Sequence, residues 1–149
     1  MNNKPDLVIV DRNLKIKKNL SIFNDFNNRK IFIATKITKS KKLNFFKKKD
    51  IKIIKLSSFN TKKDLVSFFQ KLRNYSFNRV LIESGLIFLN KLMKYELISN
   101  LYLFQSSDRL GKKGSNNTSI NEIKKLKFTK KIKVNLKNDK LYKVKLNNV

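Results

Sequence analysis

The 149-residue sequence has no cysteine, no histidine and no tryptophan, and only one proline and three glycines. Without Cys and His there are no disulfides, no thiolate nucleophile, no imidazole base and no ordinary zinc site, so no metal centre is expected. Chemistry must come from carboxylates, Lys, Tyr, hydroxyls or a borrowed cofactor. No apolar run approaches the roughly 18 residues that span a bilayer. Residues 1–5 are polar and do not read as a signal peptide. The expectation is a soluble cytoplasmic protein with no membrane partner. Acids are scarce as well: 10 Asp and Glu stand against 36 Lys and Arg, a formal charge of +26.

What is present points to a core. The chain is 40% hydrophobic and carries 12 Phe, enough for one folded domain despite the charge. Two readings of the charge stand side by side. A polyanionic partner is one. The other, which we favour, starts from the type of base. Only Arg12, Arg29, Arg73, Arg79 and Arg109 are arginines; the excess is Lys, accompanied by Asn, Ile and Phe. All four have A/T-rich codons, and a dedicated nucleic-acid binder more often uses the planar fork of Arg. The Lys runs at 47–49 and 130–131 read as solvated faces, without the interleaved aromatics of a stacking platform.

The pattern predicts strands at residues 7–10, 30–35 and 51–56, then a helix over 62–75 capped by Asn60 or Thr61. Leu65, Phe68, Phe69 and Leu72 give that helix one apolar face. A strand is expected at 79–82, a helix at 85–95, a strand at 101–104, a loop over 106–117 and a short helix at 118–126. Residues 36–42 read as a basic loop and 43–48 as a short helical turn. Alternating runs at 132–136 and 141–146 read as a hairpin. The alternation predicts an α/β fold with a mostly parallel central sheet flanked by helices and a C-terminal antiparallel hairpin. Nothing resembling a linker or a repeat divides the chain, so one domain over 1–149 is expected.

Three polar clusters follow apolar runs. Glu83-Ser84-Gly85 would lie at the carboxyl end of a buried strand and the mouth of a helix, where open α/β sheets bind ligands. Gly85 permits close approach, and the free amides of a helix start suit a phosphate. A plain capping turn is an equal alternative. At Asp11-Arg12 the arginine could meet a cofactor phosphate while Asp11 fixes the loop, but a surface ion pair is the more common arrangement. The loop SSDRLGKKG at 106–114 could face a phosphate; a solvated loop is the favoured reading.

Taken in order, LVIVDRNLKI, KIFIAT, RVLIESGLIFLNKLMKYELISNLYLF, the SSDRLGKKG loop and the final hairpin resemble the reductase domain of the bifunctional riboflavin-biosynthesis deaminase/reductase. The resemblance covers most of the chain. It implies a dihydrofolate-reductase-like fold and NADPH-dependent reduction of 5-amino-6-(5-phosphoribosylamino)uracil to its ribitylamino product. It also implies substrate contact at Glu83 and cofactor contact at Arg12, Gly85, Leu86, Ile87, Phe88, Leu89, Asn90 and Lys91. No catalytic residue is assigned. Two departures stand out: Arg12 replaces a usual Ser or Thr, and Ser84 replaces a usual Gly. The family's first strand–helix–strand unit and its deaminase half have no counterpart here. The expectation is therefore an incomplete reductase domain, from a gene fragment or a split enzyme, acting as a homodimer or with a separate deaminase part. A basic nucleic-acid-binding module and an inactive remnant are the other readings.

Overall fold

The computed structural model describes residues 4–24, 28–107, 125–128, 130–134 and 138–146. The chain divides into two compact units, Met1–Arg79 and Val80–Val149.

The first unit is built on a parallel sheet of β1 (Leu7–Val10), β2 (Ile31–Thr35) and β3 (Lys52–Lys55), in the order β1-β2-β3. The central strand reads IFIAT and is buried at all five positions. A parallel strand covered on both faces needs an unbroken apolar run, and this one has it. On one face Ile31 and Ile33 join Leu14, Phe23, Leu43, Phe46 and Ile51 in a single cluster. On the other, the Phe32 ring meets the edges of Tyr75 and Phe77 at 5.1 and 5.2 Å. Ile54, opposite Ala34 in the ladder, shares that second face.

Helix α1 (Lys41–Lys48) begins earlier than the sequence suggests. Ser40 caps it by accepting from the Leu43 amide at 3.0 Å, so Lys41 and Lys42 form its first turn rather than a loop. Helix α2 (Lys62–Asn74) starts at Thr61 with a full capping box. Ser57, Ser58 and the amides of Asn60 and Thr61 all donate to the Asp64 carboxylate. The hydroxyls of Ser58 and then Ser57, with the Thr61 amide, hold that carboxyl well below the usual carboxylate range.

Among the described residues α1, α2 and a third helix at 86–94 end the same way, although none ends in glycine. Asp50, Ser76 and Glu96 take the left-handed conformation at φ 55°, 67° and 57°. Each closes a Schellman motif, shown by Ile51 N–H to Phe46 O, Phe77 N–H to Leu72 O and Leu97 N–H to Leu92 O. A side chain in this conformation costs about 1–2 kcal/mol, and glycine's extra chain entropy offsets part of that. Ser76→Gly is therefore expected to stabilise the chain by about 0.5–1 kcal/mol. Thermal unfolding followed by circular dichroism should show a rise of about 2 °C; a fall would contradict the strain.

The second unit contains α3 (Leu86–Lys94) and an antiparallel sheet in the order β4-β6-β5: β4 (Asn100–Gln105), β5 (Lys130–Ile132) and β6 (Lys140–Lys145). The β5–β6 pair is the expected hairpin, but β5 ends at Ile132, and Lys133 and Val134 lie outside it. The strand expected at 101–104 does form, though it pairs antiparallel with β6 instead of joining the parallel sheet. Its sequence explains this. Leu101 and Leu103 alternate with the exposed Tyr102 and Phe104, a pattern suited to a sheet with one wet face.

The strand expected at 79–82 does not form. Residues 79–85 carry no strand, and Val80 and Leu81 are 43% and 79% exposed. A strand persists only where a neighbour takes its backbone groups, and none of the described strands pairs with this one. Most of the helix expected at 118–126 lies outside the described residues. Among the described residues no helix is long and apolar enough to cross a membrane.

Candidate functional site

The carboxyl ends of β1, β2 and β3 form one edge of the parallel sheet, the side on which open α/β sheets bind ligands. After β1 the chain turns sharply at Asp11-Arg12. Asp11 N–H donates to Ala34 O at 2.9 Å and continues the ladder. Its carboxylate reaches forward to accept from the Ile16 amide at 2.6 Å. Leu14 N–H closes onto Asp11 O at 3.1 Å, which puts Leu14 at φ 54° and seats its side chain in the core. Asp11 therefore shapes this loop, and its carboxylate is engaged by Ile16.

Arg12 is held by its backbone. Its carbonyl accepts from Lys36 N–H and from the Thr35 hydroxyl, each at 3.1 Å. The same Thr35 oxygen accepts from Ile37 N–H at 3.3 Å. Among the described residues Thr35 is the one polar residue in the buried core, at 0% exposure. With the carbonyl pinned, the Arg12 side chain is left exposed beside the strand ends. At the end of β3 stands the hydroxyl cluster of Ser57, Ser58 and Thr61 around Asp64. The sequence reading passed over Thr35 and this cluster as site-shaping groups. Their signal was available: each is a hydroxyl residue directly following an apolar strand run.

The other candidates lie in the second unit. Glu83, Ser84 and Gly85 are exposed and precede α3. Gly85 is the N-cap, in extended conformation at φ −68° and ψ 162°, and no side chain caps the helix. The first turn has no acid. In this respect α3 differs from α1 and α2, whose first turns are closed by Ser40 and Thr61. A Cβ at Gly85 would meet nothing within 4 Å. Neither packing nor backbone geometry demands glycine there. Along α3, Ile87 is 72% exposed, Leu92 is fully buried, and Leu86, Phe88, Leu89, Asn90 and Lys91 are half-buried.

Arg12 thus belongs to the first unit and Glu83–Lys91 to the second. Of the 106–114 loop, Ser106 and Ser107 are described. The Ser106 hydroxyl and the Ser107 amide both donate to Asp139 Oδ1, at 3.2 and 3.0 Å, tying the end of β4 to the start of β6. Residues 108–114 lie outside the described residues.

Parallel strand ends with an arginine and hydroxyls in one unit, and a helix beside an antiparallel sheet in the other, make this an α/β protein. The profile of the RibD C-terminal domain matches residues 1–145, and the chain belongs to that family. The family is one of reductase domains in riboflavin biosynthesis, with oxidoreductase-type activity and, typically, a nicotinamide cofactor. No curated protein matches the chain.

Proposed function

We propose that the chain binds NADPH and takes part in reducing the ribosyl group of 5-amino-6-(5-phosphoribosylamino)uracil to ribityl. The fold would be dihydrofolate-reductase-like and the setting cytoplasmic. The chain would act as a homodimer or beside a deaminase part. The observation that carries this reading is the start of α3. A glycine N-cap with open space above it, no capping side chain and no acid in the first turn is suited to a cofactor phosphate.

The residues present fit the cofactor. Gly85 and the amides of Leu86 and Ile87 would receive a phosphate. Phe88, Leu89, Asn90 and Lys91 continue the same helix; Arg12, in the first unit, is a separate candidate for contact with a cofactor phosphate. When bound, the nicotinamide supplies the hydride, which is why a chain without His or Cys can serve. The protein's share is positioning and charge. Glu83, exposed just before the helix, would accept hydrogen bonds from substrate hydroxyls. The Lys-rich surface would favour a phosphorylated substrate.

Titrating NADPH and following its fluorescence is expected to give saturable binding. Gly85→Leu should weaken that binding at least tenfold, about 1.4 kcal/mol. Its melting temperature should fall by no more than a few degrees, the cost of leucine for glycine at an N-cap, because a Cβ there meets nothing within 4 Å. Gly85→Ala should be nearly silent in stability. Absence of saturable NADPH binding would overturn the proposal. So would full affinity in Gly85→Leu.

A further inference from the structure

The antiparallel sheet has two unlike faces. Ladder register places Leu101, Leu103, Tyr142 and Val144 on one side, and there Leu101 is buried and the others half-buried. Phe128 adds its ring to Tyr142 at 5.8 Å on that covered side. The opposite face is open along its β4 edge, although Leu141 at its centre is buried and Ile132 and Lys143 are half-buried. Tyr102 and Phe104, two apart on the edge strand β4, are 46% and 67% exposed. Their side chains stand about 7 Å apart along the strand.

Three cross-strand rows make up this open face. Phe104 lies beside Leu141, which lies beside Ile132. Tyr102 lies beside Lys143, which lies beside Lys130. Asn100 lies beside Lys145. The result is an apolar row, an aromatic–cationic row and a polar–cationic row, in that order. The Lys143 ammonium already sits over the Tyr102 ring, 5.6 Å from its centre. No strand of this sheet contains an Asp or Glu. The nearest acid in the chain is Asp139, just before β6, and it is engaged by Ser106 and Ser107.

We infer that this face binds single-stranded nucleic acid without sequence preference. Two exposed rings at alternate positions of one strand offer stacking surfaces for successive bases, and a flanking lysine row meets the phosphates. Charge complementarity selects this occupant: among the described residues the face has three lysines and no acid. A stacked base replaces Lys143 over Tyr102 and releases that ammonium to a phosphate. In sequence, the interleaving of rings with lysines was hidden. Tyr102 and Phe104 lie some forty residues from Lys143 and Lys145, and only the β4–β6 register sets them side by side. The inference is independent of the reductase reading, because it uses none of the residues assigned to cofactor or substrate.

The test is fluorescence anisotropy with a labelled oligo(dT) of about twenty nucleotides at about 0.15 M salt. The wild-type chain should bind, and removing the rings in Y102S/F104S should weaken binding by about tenfold per ring. NADPH binding should be unaffected. Lysine attraction alone would leave the double variant equal to wild type and would collapse steeply with salt; that outcome overturns the inference. So does loss of self-association in the double variant, seen by sedimentation, with oligonucleotide binding intact, since the face would then join two copies. Should the double variant fail to fold, F104W decides. It would be the only Trp in the chain, and its emission should change on oligo(dT) addition. A silent Trp overturns the inference equally.

Discussion

Phe46→Ala is expected to lower the stability of the chain by about 4 kcal/mol. Phe46 is fully buried in α1, with its ring 5.1 Å from Phe23 and 5.5 Å from Phe45. It belongs to the cluster of Leu14, Ile31, Ile33, Leu43 and Ile51 under one face of the parallel sheet. Its carbonyl also accepts the Ile51 amide in the Schellman motif that turns the chain into β3. Truncation would leave a ring-sized void against β2, the strand with no exposed position along which to relax. A loss of this size is a large part of a typical domain's 5–15 kcal/mol. Urea unfolding of wild type and variant should show it as a shift in midpoint. A loss below about 1 kcal/mol would mean that α1 does not pack as described. Phe46→Leu, which refills much of the volume, should recover more than half of the loss.

Thr35→Val is expected to cost about 2 kcal/mol, although valine matches threonine in shape and suits a strand. The lost hydroxyl has two roles. It donates to Arg12 O and accepts from Ile37 N–H, linking the exits of β1 and β2 at the edge where a ligand would bind. Lys36 N–H would still serve the Arg12 carbonyl, but the Ile37 amide would lose its acceptor. Amide hydrogen exchange should therefore quicken at Ile37 and around Leu14 and Ile16, with little change in α2. Thr35→Ser keeps the hydroxyl and should behave nearly as wild type in exchange at those amides. Equal effects from Val and Ser would assign the role of Thr35 to packing.

Much of the first unit was legible from residues alone. LVIV and IFIA are short, wholly apolar runs; the central strand β2, buried at every position, requires that pattern, while β1 at the edge is half-buried with Val10 exposed. Thr61 followed by Asp64 announced the start of α2 because a hydroxyl and a carboxylate three apart can cap each other's amides. The run at 79–82 holds three consecutive apolar residues, Val80, Leu81 and Ile82, yet forms no strand, since hydrogen-bonding partners are supplied by distant chain and have no local signature. The same holds for β4. Its existence could be read from alternation, whereas its pairing with β6 rather than with the parallel sheet could not. Helix α1 was underestimated because its lysines mask the spacing of Leu43 and Phe46, and Ser40 was not weighed as a cap.

The candidate site divides along the same line. Gly85, Glu83 and the Asp11-Arg12 turn stood out as punctuation in a monotonous Lys-, Asn- and Ile-rich chain. Their local conformations are those of a helix cap and a strand-end turn. Thr35 did not stand out, because the group it orients is 23 residues away.

The sequence by itself determined the α/β class, the central strand, the capped start of α2 and the lack of imidazole and thiol chemistry. Each of these depends on neighbours within a few residues or on composition. Tertiary structure alone decided which apolar runs became paired strands, that the Thr35 hydroxyl reaches the Arg12 carbonyl, and that Tyr102 and Phe104 share a face with Lys143 and Lys145. Those outcomes rest on ladder register and on contacts between distant segments. A single residue of slip in the β4–β6 pairing would turn the rings inward and leave the lysine face without them.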